Sequence, residues 1–149
     1  MRLCRTFIFT ILTTLALAGC SKDEERGPEY LEVNKNNISG KWELVEFNGQ
    51  PLAEGTYMEI ELVRNDETFT INQNFDSFQD IPHTVTGRYS LSTDVERGVV
   101  IDGVYDHDAG FWSHSYVISE LTAESMVWTA YDSPDFTQEF RRAANANKQ

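Results

Sequence analysis

Cysteine is nearly missing from this sequence: Cys4 and Cys20 are the two it contains, and both precede the body of the chain. No disulfide can be built after Cys20, and no cysteine nucleophile is available there. Basic residues are also scarce, with 12 Lys and Arg against 24 Asp and Glu, for a net charge of −12. Such a balance excludes a phosphate-binding surface for nucleic acid and disfavours contact with anionic lipid headgroups. There is no long hydrophobic run: the apolar stretch at residues 7–17 is too short to span a bilayer as a helix. Gly-x-Ser-x-Gly, a phosphate-binding glycine loop and His-Glu-x-x-His are all lacking, so the chain is read as non-catalytic, with no cofactor.

What is present begins with an address. Arg2 and Arg5 form a basic region ahead of the short apolar stretch, and "LAGC" follows it, which is the layout of an export leader. Leu17, Ala18, Gly19 and Cys20 resemble the lipobox of bacterial lipoproteins. The resemblance implies cleavage after Gly19 and acylation of Cys20, with palmitate-type chains holding the mature protein to the lipid bilayer. Several chains on one residue satisfy the need for more than one anchoring signal. Residues 1–19 are therefore assigned as signal peptide.

Residues 20–37, "CSKDEERGPEYLEVNKNN", are polar, charged and broken by Gly27 and Pro28, and are read as an acylated N-terminus and flexible tether. Lys22, Asp23, Glu24 and Glu25 directly behind Cys20 resemble the acidic export signal of Bacteroidota lipoproteins. That resemblance implies an outer-membrane location with the domain exposed at the cell surface.

Residues 38–143 are the length of one domain, and residues 144–149 are read as a disordered tail. Within the domain the apolar pattern has a period of two, with turn residues at short intervals and no helical stripe. Eight strands are expected: "GKWELVEFN", "YMEIELV", "TFTINQ", "TVTGRYSLS", "VVIDGVY", "SYVISEL", "SMVWTAY" and "TQEFRRA". Met58, Ile60 and Leu62 alternate with Glu59 and Glu61, and Val85, Tyr89 and Leu91 with Thr84, Thr86 and Arg88, so one face is apolar and the other wet. An all-β, antiparallel up-and-down barrel of eight strands removes the edges that an open sheet would leave, and a sandwich is the alternative.

The first and last strands carry a further resemblance. "SGKWEL", with Gly40 and Trp42, is similar to the Gly-x-Trp signature of lipocalins, and "EFRRA" supplies an arginine on the final strand. The resemblance implies a lipocalin-like barrel whose closed base is formed by Gly40, Trp42 and an arginine packed over the indole. Arg142 or Arg141 would match it, and alternation with Phe136 and Phe140 favours Arg142.

Strand parity then separates two ends. If the first strand starts at the base, "RNDE", "TDVERG" and "TAE" turn there, while "NGQPLAEGT", "NFDSFQDIPH", "DHDAGFWSH" and "DSPDF" gather at the mouth. The mouth holds His83, His107 and His114, the acids Asp106 and Asp108, and the aromatics Phe75, Phe78, Phe111 and Trp112, which form the candidate ligand site. Asp106, His107, Asp108 and His114 have the chemistry of metal ligands but match no standard spacing, and no metal is assigned. Trp112 is either a stacking platform for a flat ligand or a lid on the core.

These residues point to a small apolar or aromatic ligand held at the mouth. The alternative is a filled barrel that presents its loops to an outer-membrane protein partner, as an adaptor or accessory subunit.

Overall fold

A computed structural model describes residues 27–75, 81–107 and 109–144. Cys20, the leader, residues 21–26, Phe78, Asp108 and residues 145–149 lie outside the described residues.

The chain enters at the base of a closed antiparallel barrel. One helical turn, α1 (Lys35–Ile38), is capped by Asn34, whose side chain accepts from the amides of Asn36 and Asn37. The strands follow as β1 (Gly40–Phe47), β2 (Gln50–Pro51), β3 (Met58–Val63), β4 (Thr68–Gln73), β5 (His83–Asp94), β6 (Gly98–Tyr105), β7 (Tyr116–Ser119), β8 (Ser125–Ala130) and β9 (Ser133–Arg142). Each barrel strand pairs with the next, and β1 pairs with β9 to close the ring. The eight expected strands are thus the eight staves. The short β2 is an added hairpin arm lying on the end of β1, with Glu46 opposite Pro51.

Closure follows from the alternation. Trp42, Ile60, Leu62, Phe69, Ile101, Met126, Trp128 and Phe140 are all at most 1% exposed and fill the interior with large side chains. Fully burying one such side chain contributes about 1.5–3 kcal/mol. Three features depart from simple alternation. A bulge between Leu44 and Glu46 shifts the register of β1 against β9, so Trp42, Leu44 and then Phe47 share the inner face. Gln73 and Gln138 occupy inward positions and are buried. The β6–β7 ladder consists of two pairs, Val100 with Val117 and Ile101 with Tyr116.

Two boundaries need correction. The tether assigned to residues 20–37 does not run free to its end: the Leu31 amide donates to Leu121 O at 2.7 Å, and Leu31 and Val33 pack on the core. These two apolar residues, spaced by one position, are hidden in the sequence by the charges around them. The "DSPDF" loop is also shorter than expected, because β9 starts at Ser133 and a two-residue turn, 131–132, joins it to β8.

Candidate functional site

The base is built as one unit. Trp42 lies directly opposite Arg142 in the β1–β9 ladder, and the Arg142 guanidinium sits over the indole at 3.9 Å from its centroid. The Trp42 Nε1–H donates to Ile38 O at 2.7 Å, which fixes the end of α1. Arg142 donates to Ser39 O at 2.8 Å, to Asn37 O at 2.9 Å and to Ala123 O at 2.8 Å. Burial pushes its pKa down from the ordinary arginine value. Gly40 has φ +118°, and a Cβ there would lie 2.8 Å from the Arg142 guanidinium, so glycine is required on both counts.

A family model described as a lipocalin-like domain matches residues 38–128. The chain belongs to the lipocalin-like domain family. No curated protein matches it. A lipocalin-like barrel is a scaffold for binding a ligand or for presenting loops to a partner, and the end opposite the Trp42 base is the expected mouth.

At that end a cleft of about 550 Å³ opens between the end of β4, the start of β5 and the tip of the β6 hairpin. Gln73, Val85 and Tyr105 line it from inward-facing positions, and Thr84, Thr86, Asp106, His107 and Ala109 form its rim. The Thr86 hydroxyl donates to Asp106 Oδ2 at 2.6 Å, and the Asp106 amide donates to Thr86 O at 3.0 Å, so the rim carboxylate is fixed to the neighbouring strand. His107 turns the hairpin with φ +61°. The lining combines the apolar Val85 and Ala109 with amide, phenol, hydroxyl, imidazole and carboxylate groups, which suits a small ligand with a few polar atoms.

The lipocalin-like interior also carries an extended chain of aromatic contacts. Phe75 meets Phe47 (5.0 Å between centroids), Phe47 meets Phe136 (4.9 Å), and Phe136 meets His114 (4.8 Å). Tyr116, Trp128, Trp112, Phe69 and Tyr105 continue the series to the cleft. Burial pushes the Tyr116 hydroxyl up to about 12.

The expected mouth residues are therefore divided. Asp106 and His107 lie on the cleft rim. His83 sits beside it, its Nε2 at 3.4 Å from the Gln73 amide nitrogen and its Nδ1 at 3.2 Å from Ile81 O. His114 is separate: its Nδ1 is 2.7 Å from Asp132 Oδ1, and this contact holds the Asp132 carboxyl below its usual range. Among the described residues no three His, Cys, Asp or Glu side chains come together as a metal site. Phe75 packs inward on Phe47, whereas Phe111 is 77% exposed. Trp112, for which a platform and a lid were both open, has the geometry of the lid: it packs on Phe69, Trp128 and Tyr116.

Sequence reasoning missed Gln73, Val85 and Tyr105 as cleft residues. Parity contained the signal for Gln73, which shares the inner face of β4 with Phe69 and Ile71. An amide on that face marks where the apolar filling gives way to a polar lining.

Proposed function

We propose that this chain is a lipid-anchored lipoprotein of the outer membrane, exposed at the cell surface, whose barrel binds a small apolar or aromatic ligand without catalysis. The cleft beside Tyr105 carries the reading: about 550 Å³ is the scale of a small-molecule site, and it opens where an apolar, ring-rich interior meets a few fixed polar groups. The formal charge of −12 and the rim carboxylate of Asp106 favour a neutral or cationic ligand over an anion. The anchor rests on the Cys20 lipobox and the surface address on Lys22 to Glu25.

Titration of the protein with the neutral fluorescent probe N-phenyl-1-naphthylamine tests the ligand reading. Saturable binding is expected, and Val85→Trp, which fills the cleft, abolishes it. Absence of saturable binding, or binding untouched by Val85→Trp in a folded variant, overturns the assignment of the cleft.

One observation favours the adaptor reading instead. Phe111 is 77% exposed and bridges Val104, itself 43% exposed, so two apolar side chains stand together on the outer surface near the mouth.

A further inference from the structure

The seam between β1 and β3 is shorter than either strand. Its register runs from Gly40 opposite Leu62 to Glu43 opposite Glu59 and stops there, although β1 continues to Phe47. On that side β1 next finds a partner at Glu46, opposite Pro51 of β2. Where the ladder ends, the wall holds a slot of about 370 Å³, bounded by Glu43 and Leu44 on one side and by Thr56, Tyr57, Met58 and Glu59 on the other. The second side is held in place. Asn74 is buried, its Oδ1 accepts from the Tyr57 amide at 2.8 Å, its Nδ2 donates to Gly55 O at 2.8 Å, and its own amide donates to Tyr57 O at 3.1 Å. The Thr56 amide and hydroxyl both donate to Ala53 O, at 3.0 and 2.6 Å. A backbone fixed in this way needs little ordering before a ligand enters. The Tyr57 side chain is uncommitted by contrast: it is 37% exposed and makes no hydrogen bond or ring contact among the described residues.

The charges around the slot are arranged against the stability of the ladder. Glu43 and Glu59 lie directly opposite each other, and like charges so placed are destabilising. The neighbouring outward pair has the usual arrangement, with Lys41 opposite Glu61 and 3.7 Å between ammonium and carboxylate. Arg141 lies opposite Glu43 in the β9 ladder and Asn72 opposite Glu59 in the β4 ladder, yet neither Glu43 nor Glu59 has an ion pair among the described residues. Two uncompensated carboxylates and an open phenol ring therefore border one slot. Among the described residues no third His, Cys, Asp or Glu joins them to make a metal site. The face of an aromatic ring adds attraction for an organic cation.

We propose that the slot between β1 and β3 is a lateral binding site for a small organic cation, an ammonium group carrying an aryl or short alkyl tail. The ammonium sits between the Glu43 and Glu59 carboxylates and relieves their repulsion, while the tail lies against Tyr57. The site is independent of the ligand reading above, because the slot and the cleft beside Tyr105 share no lining residue.

Amide NMR spectra of the isotope-labelled full chain test the site, with 2-phenylethylammonium as the probe at neutral pH and 3-phenylpropanoate and 2-phenylethanol as its anionic and neutral counterparts. The cation is expected to shift the amides of Glu43, Leu44, Tyr57 and Glu59 saturably, and less strongly as salt is raised. The anion should leave these amides in place, and the alcohol should bind more weakly than the cation. Glu43→Gln and Glu59→Gln should each weaken the cation about two- to fivefold, the scale of an exposed charge pair. Glu59→Gln should melt no lower than the native protein, because it removes a like charge from the ladder. Tyr57→Phe should keep the affinity and Tyr57→Ala lower it, whereas Val85→Trp, which fills the cleft, should leave it unchanged. The absence of a saturable shift at these amides overturns the proposal, as does equal binding of all three probes. Calcium chloride shifting the same amides at a lower concentration than the ammonium also overturns it, in favour of a metal ion on the two carboxylates.

Discussion

The hydroxyl of Tyr131 donates to Asp94 Oδ2 at 2.9 Å, tying the turn after β8 to the turn after β5 along the outer wall of the barrel. Arg97 completes the clasp: its guanidinium lies 4.3 Å from the Tyr131 ring centroid and donates to Tyr131 O. Val100, on the outer face of β6, is 6% exposed in the wall that the clasp spans. The clasp therefore braces the barrel where the β6–β7 ladder is shortest.

It also makes stability depend on pH at both extremes. The amides of Arg97 and Glu96 and the Tyr131 hydroxyl hold the Asp94 carboxyl below its usual range. That contribution is present above the ordinary aspartate pKa and is lost as pH falls through the depressed one. The hydrogen bond to Asp94 raises the Tyr131 pKa, so its contribution is present below the ordinary tyrosine value and is lost as pH rises through the raised one. Thermal melts across pH should show Tyr131→Phe flattening the alkaline limb, with a modest loss of stability near neutrality, as befits an exposed pair.

At the base, Trp42→Ala should cost about 3–5 kcal/mol, the range for truncating a buried aromatic, and chemical denaturation measures it. Arg142→Lys should behave almost as badly as Arg142→Ala. A single ammonium cannot cover the indole and reach Ser39, Asn37 and Ala123 carbonyls together. Recovery of native stability by lysine would show that charge alone matters there.

Gly103→Ala should destabilise by about 1–3 kcal/mol through overpacking against the Trp112 ring. Combined with Trp112→Ala the penalty should largely vanish, giving a coupling of about 0.5–3 kcal/mol in a double-mutant cycle. Simple additivity would mean that the two residues do not pack against each other.

Phe111→Ser should leave the melting temperature nearly unchanged, with an effect within about 0.5 kcal/mol, because the side chain is mostly in solvent. If the adaptor reading holds, the same variant loses its outer-membrane partner in a crosslinking assay on intact cells. A folded variant with undiminished crosslinking removes Phe111 from any such interface.

If the lipobox reading holds, Cys20→Ala should release the protein from the membrane fraction, since every acyl chain would depend on that one residue. Replacing Lys22 to Glu25 with alanines should keep the protein anchored but shield it from protease added to intact cells. Unchanged cleavage would reduce the acidic run to a spacer.

Much of the barrel was legible because two-residue alternation survives in most staves, and parity returned the last strand to the base, where the lipocalin resemblance required an arginine beside Trp42. The limits are equally physical. Phe47 is on the wrong parity for its strand until the bulge at Leu44/Glu46 is known, and nothing local announces that bulge. Trp112 stands in a loop, where sequence cannot say whether an indole faces solvent or folds back onto Gly103. The three histidines looked gathered by strand order, but His83 and His114 meet different partners, Gln73 and Asp132, because a closed barrel spreads its loops around a ring. Gln73 and Val85 join Tyr105 only through the curvature of the wall, which sequence spacing does not encode.

The join between β1 and β9 has a consequence for how this chain reaches its folded state. Arg142 holds the carbonyls of Ser39 and Asn37, which are 103 and 105 residues distant along the chain, so the base plate is assembled from the two ends of the domain. Every earlier stage is an open sheet with β1 and β8 exposing unpaired edges, and contacts of such long range make closure slow. A chain emerging strand by strand has no finished core until β9 arrives. Folding is thereby ordered in time, with the arginine on β9 acting as the latch that ends the vulnerable interval.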